Sequence, residues 1–413
     1  ANRGSIAAAR DLIANASTLD GGSGTGAGTL AGGRLLDITS GGGTFGRLIA
    51  PTALTLGIAG DMTNAAGETI ATPGALTLNI GGSFTNAGTV QGGTAIGIAT
   101  GGSIANQAGG TIVSPTLTLT AGTTLENQGL INGGVVTMSA AQIANGGAIF
   151  GDSVALSGTG GIVNAGDSAV IATRGGLLSL SSGGDIVNRD GALLYSLGNL
   201  VVTGLGGTGR AGSLQNLSSD IQAQGSIAIA ATRLLNDRSV FTTEEALLST
   251  RHVEDEDRRD REHRTVTEFD ETVKDTRVTA DSGAARIIGG NIGIDAASVV
   301  NHLSAISASG NLNVGAATVT NTAFTGYNTT TQTGTIKDEK RNCFLFFCGD
   351  WDTRSTTPFT SVDALPTFTI PSTITAAGTL TIDAVSIDNL VLVPGGGTAD
   401  IFAASARPGA VTA

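Results

Sequence analysis

The chain is poor in charged residues, aromatic residues and cysteine, and these shortages exclude several classes of protein. Charged residues make up 14% of the 413 residues and aromatic residues 4%, and there are two cysteines. The net charge of −12, with only three lysines among 22 basic residues, argues against nucleic acid and an anionic membrane surface as partners, because both are bound by basic patches. No run of eighteen apolar residues occurs, so the sequence predicts no transmembrane segment.

The sequence also lacks the features of a newly synthesised amino terminus. The first residues, ANRGSIAAARDLIANAST, include no initiator methionine and lack the continuous apolar stretch of a signal peptide. We therefore expect the sequence to be an excerpt from a longer chain.

Glycine and apolar residues are abundant instead. The chain has 63 glycines, and its 40% of hydrophobic residues is too many for a disordered segment. One six-residue pattern occurs at 81–86 and again at 101–106: Gly-Gly-Ser, an apolar residue, any residue and then Asn. Between the glycine-rich turns apolar residues alternate, as at Leu76, Leu78 and Ile80, which is the period of a β-strand. Such units are too short to form a core alone and become stable by stacking on their neighbours.

An asparagine after an apolar pair marks successive units, mostly 18 to 24 residues apart. The marked residues are Asn64, Asn86, Asn106, Asn127, Asn145, Asn164, Asn188, Asn216, Asn236, Asn301 and Asn321, followed by the pair Asp388-Asn389. The pattern predicts an all-β right-handed parallel β-helix of about 15 coils. We expect each asparagine to occupy a corner in the left-handed conformation and to hydrogen-bond the equivalent amide one coil away. Sugar binding is the alternative role for these side chains.

Two intervals are longer than one coil. Asn236 and Asn301 are 65 residues apart, and Asn321 and Asn389 are 68 apart. We therefore predict two insertions outside the solenoid, close enough to touch each other. The predicted organisation is coils over 1–237, a charged insertion over 238–283, coils over 284–323, an aromatic and cysteine-containing insertion over 324–371, and C-terminal coils with a ragged end over 372–413.

The first insertion concentrates charge, because residues 243–277 hold 19 of the 56 charged residues and two of the three histidines. Its segment EHRTVTEFDETVKDTRV has the threonine and valine content of a strand, whereas VEDEDRRDRE favours a solvated turn or a short helix. We interpret the whole as a solvated, charge-rich hairpin. A metal site using His252, His263 and nearby carboxylates is the alternative, but no ligand spacing supports it, so we predict neither metal nor cofactor.

The second insertion concentrates aromatic residues. Eight of the 15 aromatic residues lie between Phe324 and Phe368, and CFLFFC is an unbroken apolar and thiol stretch. Its large side chains either pack on the solenoid or the other insertion, or form an exposed interaction site. These residues are Phe344, Leu345, Phe346, Phe347 and Trp351.

Cys343 and Cys348 bracket four residues. At this spacing, two strands leaving a tight hairpin can bring the sulfur atoms within bonding range, so we favour a disulfide over two unpaired thiols. A redox motif is not indicated, because it requires a two-residue spacing at the start of a helix.

The carboxylates give little support for catalysis. Glycoside hydrolysis needs two carboxylates about 5 to 10 Å apart. Asp61, Asp152, Asp167 and Asp185 are isolated near glycine turns, where acceptor side chains commonly cap the backbone. We therefore predict that the protein is not an enzyme, and a polysaccharide-active β-helix remains the remote alternative.

Three stretches carry a family resemblance: GGDIVNRDGALLYSLGNLVVTG, GSLQNLSSDIQAQGSIAIAATRLLNDRSV and IPSTITAAGTLTIDAVSIDN. They resemble the haemagglutinin repeats of the filamentous haemagglutinin family, the large exoproteins of bacterial two-partner secretion, and especially the effectors of contact-dependent growth inhibition. The resemblance covers nearly the whole chain.

The resemblance implies a secreted, monomeric filament segment at the bacterial cell surface, exported through a dedicated outer-membrane transporter. Such filaments present adhesive or receptor-binding segments, so the exposed alternative for residues 344–347 and Trp351 implies contact with an unknown target-cell receptor. In growth inhibition such filaments also deliver a C-terminal toxin into a neighbouring bacterium. Neither an amino-terminal secretion domain nor a toxin module with its boundary motif is recognisable in this sequence. A purely structural spacer is the alternative function.

Overall fold

The computed structural model describes residues 4–20, 28–41, 43–44, 47–394 and 398–400. The chain divides into two compact units. Unit 1 comprises Ala1–Ser239, Gly283–Asn321 and Thr373–Asp388, and unit 2 comprises Val240–Ser282, Thr322–Ser372 and Asn389–Ala413.

Unit 1 is a right-handed parallel β-helix of about 14 turns, which confirms the predicted fold with slightly fewer coils than expected. Each turn contributes one strand to each of three parallel sheets, here named sheets A, B and C in their order along the chain. One turn, for example, runs through Thr69–Thr72 in sheet A, Ala75–Ile80 in sheet B and Phe84–Asn86 in sheet C.

Most strands of the solenoid lie entirely within one of the three sheets. Those of sheet A are Ser5–Ala8, Thr29–Gly32, Arg47–Ile49, Thr69–Thr72, Thr89–Gly92, Ala148–Gly151, Val170–Thr173, Leu193–Ser196, Asp220–Ala223, Arg286–Gly289, Ala305–Ala308 and Thr373–Ala376. Those of sheet B are Asp11–Ala16, Leu35–Ser40, Ala53–Ile58, Ala75–Ile80, Ala95–Thr100, Leu178–Ser182 and Leu200–Gly204. Those of sheet C are Leu19–Asp20, Gly43–Thr44, Met62–Asn64, Phe84–Asn86, Ile104–Asn106, Thr124–Asn127, Asp185–Arg189 and Ala211–Leu217.

Longer strands bend from one sheet into the next, and two of them continue into unit 2. The long strands are Thr111–Ala121, Leu130–Asn145, Ser153–Ala165, Ile227–Asp237, Ile292–His302, Leu312–Lys340 and Leu380–Leu392. The strands wholly in unit 2 are Phe241–Arg258, His263–Asp281, Cys343–Phe344, Phe347–Cys348, Asp352–Ile370 and Thr398–Asp400, and the chain also has the short 3-10 helix Leu205–Gly207.

Alternating side chains fill the interior of the solenoid. In Ala75–Ile80, the three apolar residues at every second position are buried while their neighbours are not. The parallel register places Leu76 between Leu54 of the preceding turn and Ile96 of the next. Burying an aliphatic side chain of this size stabilises the fold by about 1.5–3 kcal/mol, so stacks of such residues form the core.

Glycine is required where consecutive turns approach closely. A Cβ atom on Gly74 would lie 1.6 Å from the carbonyl oxygen of Thr52 in the preceding turn. At Gly109 the backbone has a φ of 84°, which side-chain-bearing residues rarely adopt. Close backbone approach and positive φ are thus two reasons for glycine between the strands.

The marked asparagines form one continuous hydrogen-bonded ladder in sheet C. From Asn64 to Asn321, the Nδ2 of each residue donates to the Oδ1 of the next over 2.7–2.9 Å. The side chains from Asn64 to Asn301 are buried. The same Nδ2 atoms also donate to backbone carbonyls, as Asn145 does to Val170 over 3.3 Å. The ladder thereby satisfies buried amides that would otherwise cost free energy, except at its first member, where Asn64 Oδ1 has no hydrogen-bond partner among the described residues.

The predicted left-handed corner conformation of these asparagines is wrong. Among the described residues, the non-glycine positions with positive φ are Asp190, Ser218, Leu303 and Leu345. The ladder asparagines instead lie in strands, where extended backbone points their amides into the solenoid. Sugar binding by the asparagines from Asn64 to Asn301 is also wrong, because their side chains are buried.

Unit 2 is built on a four-stranded antiparallel sheet. Phe241–Arg258 pairs with His263–Asp281, which pairs with Leu312–Lys340 from Asn328 onward, and Leu312–Lys340 pairs with Asp352–Ile370. The two insertions therefore contact each other, as expected, and do so through backbone hydrogen bonds. In a separate pairing, Leu390–Leu392 lies antiparallel to Thr398–Asp400.

The segment VEDEDRRDRE is neither mainly a turn nor a helix. Its strand extends to Arg258, and the chain turns at 259–262. Charged side chains meet oppositely charged partners across the sheet, as Glu256 meets Arg264 at 3.0 Å. Such pairing favours the strand, and the sequence of one strand alone does not show it.

We predict that Asn145→Ala destabilises unit 1 by about 2–5 kcal/mol, because it leaves buried groups of Asn127 and Asn164 without their ladder partners. The free energy of unfolding measured by chemical denaturation tests this. Asn79→Ala, at an exposed position of sheet B, is the matched control and should change it by less than about 1 kcal/mol. Equal effects of the two substitutions would contradict a stabilising role for the ladder.

Candidate functional site

Four consecutive large apolar side chains are exposed at the end of a small hairpin. The strands Cys343–Phe344 and Phe347–Cys348 pair antiparallel, with a two-residue turn between them. The exposed fractions are 79% for Phe344, 70% for Leu345, 88% for Phe346 and 83% for Phe347. We call these four residues the apolar tip. The alternative that they pack against other parts of the protein is wrong for all four.

A disulfide closes the hairpin directly behind the apolar tip. Cys343 and Cys348 are bonded, with their Cα atoms 4.1 Å apart, and both are paired residues of the hairpin. Leu345 in the turn has a φ of 56°, a conformation that usually favours glycine or asparagine. A large apolar residue at such a position costs about 1–3 kcal/mol and is typical of functional sites.

The hairpin is anchored to the turn of the charged insertion. The Arg341 Nε atom donates to the Arg261 carbonyl over 2.8 Å, and the Cys343 amide donates to the Glu262 carboxylate over 3.3 Å. The Gly349 amide donates to the Asn342 carbonyl over 3.0 Å. Contacts from both insertions thus fix the base of the hairpin, while its apolar tip stays in solvent.

Trp351 differs from the four tip residues because it is partly buried. The guanidinium carbons of Arg264 and Arg341 lie 4.5 and 4.3 Å from its ring centroid. Arg264 also donates to Glu339 over 2.7 Å. The structure therefore places Trp351 in a cation-π arrangement behind the tip. Sequence reasoning missed the two arginines, because only the strand register brings them to the ring.

Rows of polar side chains cross the four-stranded sheet. Glu271 accepts hydrogen bonds from Arg251 at 2.5 Å and from Gln332 at 2.9 Å, and these two bonds hold its pKa below the usual value. Glu268 accepts from Lys337 at 2.8 Å, which likewise lowers the Glu268 pKa. These contacts tie three of the four strands together and give the sheet a charged surface.

The two histidines considered as alternative metal ligands have separate partners. His252 Nδ1 lies 2.8 Å from Asp270, and this hydrogen bond raises the His252 pKa. His263 Nδ1 lies 3.0 Å from Asp260. Within the described parts of the chain, no group of three or more His, Cys, Asp or Glu residues is arranged to hold a metal ion.

Three of the four isolated aspartates considered for catalysis have structural contacts. Asp61 accepts from the Ser83 amide at 2.7 Å, and Asp185 accepts from the Ser213 hydroxyl at 2.7 Å. Asp152 pairs with Arg174 at 3.1 Å. A backbone hydrogen bond, a side-chain hydrogen bond and an ion pair account for these three carboxylates.

Among the residues that the structure describes, no helix has the length and apolar character needed to cross a bilayer. A sequence profile described as the haemagglutinin repeat matches residues 51–129, 101–190, 191–251, 272–339 and 360–393. The unmatched intervals within this span, 252–271 and 340–359, contain the turn of the charged insertion and the whole disulfide hairpin. No curated protein and no solved structure matches the chain significantly.

We predict that His252 stabilises unit 2 most at low pH. Because its pKa is raised above the ordinary 6.5, its contribution is complete below that value and is lost as the pH rises through the folded-state pKa. NMR titration should give a pKa above 6.5 for His252 in the wild type and a lower pKa in Asp270→Asn.

The same hydrogen bond should affect local opening of the sheet. Amide hydrogen exchange at Val253 and Phe269, corrected for its intrinsic pH dependence, should show more protection at about pH 6 than at about pH 8. His252→Gln should remove this difference. An unchanged difference in that variant would show that other groups cause it.

Proposed function

Because the chain belongs to the haemagglutinin repeat family, we propose that this adhesin-like filament segment contacts target cells through the apolar tip of unit 2. The protein acts outside the cell or at the cell surface. It reaches this location by two-partner secretion through an outer-membrane transporter. The single observation that carries the proposal is the exposure of four adjacent apolar side chains, each at 70% or more. Large exposed apolar patches are typical of interaction sites.

The relation of the tip to the repeats supports this division of roles. The haemagglutinin repeat profile matches most of the solenoid but leaves out residues 340–359. The repeats supply a regular support, and the disulfide hairpin is an addition to it. A pure spacer requires no such addition, so the contact function is the better supported alternative.

The fold also suits export as an unfolded chain. Each turn of the solenoid contacts its neighbours in sequence, so turns can form one after another as the chain emerges from a pore. The disulfide joins residues with a sequence separation of 5, which leaves no large covalent loop to obstruct transit. These properties support the secretion part of the proposal.

A role in contact-dependent growth inhibition is the more specific form of this proposal. In that form, attachment by the tip brings the filament and a C-terminal toxin to a neighbouring bacterium.

The triple variant Phe344→Ser, Phe346→Ser and Phe347→Ser, here the tip variant, tests the contact function. We expect attachment of the fluorescently labelled chain to target cells, measured by flow cytometry, to fall by about tenfold or more, since buried aromatic anchors carry much of the energy at interfaces.

The control is Val362→Ser with Leu365→Ser, here the edge variant. It removes two exposed apolar side chains from the Asp352–Ile370 strand, where they are 63% and 62% exposed. The edge variant should attach like the wild type. Circular dichroism should be identical for all three proteins. Wild-type attachment by the tip variant would leave the spacer as the function of this segment.

A further inference from the structure

We infer that the apolar tip inserts into the lipid bilayer of the target cell rather than into a pocket of a protein receptor. This inference rests on the proposed contact function and names its partner. It follows from the composition of the tip, from the pairing of its backbone and from the residues directly behind it.

The composition of the tip fits hydrocarbon better than a protein surface. Positions 344 to 347 are three phenylalanines and one leucine, without a polar side chain among them. Protein interfaces favour tryptophan, tyrosine and arginine as anchors, because their polar groups fix orientation against a partner. A bilayer interior accepts apolar side chains in any orientation and needs no matching pocket.

The backbone of the hairpin is suited to shallow insertion. Unpaired amide and carbonyl groups are costly in a bilayer, so an inserting loop must satisfy them internally or keep them near the headgroups. Cys343 pairs with Cys348, and Phe344 pairs with Phe347, which leaves a turn of two residues. The disulfide holds this compact hairpin closed before it meets a membrane, so insertion requires little ordering of the chain.

The residues behind the tip have the character of a membrane-interface belt. The guanidinium groups of Arg264 and Arg341 both lie over the Trp351 ring, and Arg261 Nη2 lies 3.9 Å from the Cys348 sulfur. Tryptophan is enriched at the level of lipid headgroups, and arginine places its charge there while its stem stays apolar.

The charge of the chain determines which bilayer it accepts. With a net charge of −12, electrostatic attraction to an anionic surface cannot provide the binding. Asp260 and Glu262 border the tip together with Arg261, so the local charge is mixed. Apolar insertion does not require charged lipid, so a zwitterionic bilayer is sufficient as the partner.

The single tryptophan of the chain permits a direct test. The full chain is mixed with pure phosphatidylcholine vesicles, and Trp351 fluorescence and co-sedimentation are measured. We expect a blue shift on binding, and stronger quenching by lipids brominated near the headgroup than by lipids brominated at the chain ends. The tip variant should partition into vesicles about tenfold less or weaker still, because three of the four inserting side chains are gone.

Two controls separate insertion from other forms of binding. The edge variant should partition like the wild type. Replacing about a third of the phosphatidylcholine with phosphatidylglycerol should not strengthen partitioning, since the attraction is apolar. Stronger binding to the anionic vesicles, with equal binding by the tip variant, would overturn insertion by the tip.

The vesicle and cell experiments distinguish failure of this inference from failure of the proposed function. If the tip variant loses attachment to cells and the wild type does not bind protein-free vesicles, the contact function stands and the partner is a protein. If the tip variant attaches to cells normally, the contact function fails, and the bilayer is not the attachment partner even if vesicles bind the tip.

Discussion

In-register stacking of successive turns is the constraint on which unit 1 depends. Each turn is too thin to bury its apolar residues alone, and it does so only by placing like residues above one another, as with Leu54, Leu76 and Ile96. The asparagine ladder adds a directional requirement to this apolar stacking. An amide hydrogen bond of 2.7–2.9 Å tolerates little slippage, so the buried ladder fixes the register that the apolar residues stabilise.

Unit 2 solves a different problem, because an open antiparallel sheet has edges that can recruit other strands. One edge, Phe241–Arg258, ends in a run of charged residues, and the other, Asp352–Ile370, contains Pro358 and Pro366. Both charge and proline discourage pairing with another chain. Both edges are thereby protected from pairing with another chain, whereas the four adjacent apolar side chains of the disulfide hairpin stay exposed.

The parts of the structure that follow from local periodicity could be predicted from the sequence. Alternation at Leu76, Leu78 and Ile80 and the recurring asparagines were enough for the solenoid and the ladder members. The conformation of the asparagines was predicted wrongly, because the preference of a free asparagine for turns gives way to the stabilisation of stacked, buried amides. The strand over Glu254–Arg258 and the arginines beside Trp351 could not be predicted, because they depend on partners brought together by the register of distant strands.

The ladder is indifferent to how much chain separates its members. Asn216 and Asn236 are 20 residues apart and Asn236 and Asn301 are 65 apart, yet both pairs are joined by hydrogen bonds of 2.8 Å. The corner after the asparagine therefore accepts insertions of different length. A loop can be inserted there, by evolution or by design, without changes to the residues of the neighbouring turns. Such a protein can then acquire a new binding specificity by exchange of the inserted segment at this corner, while the sequence of the surrounding coils is retained.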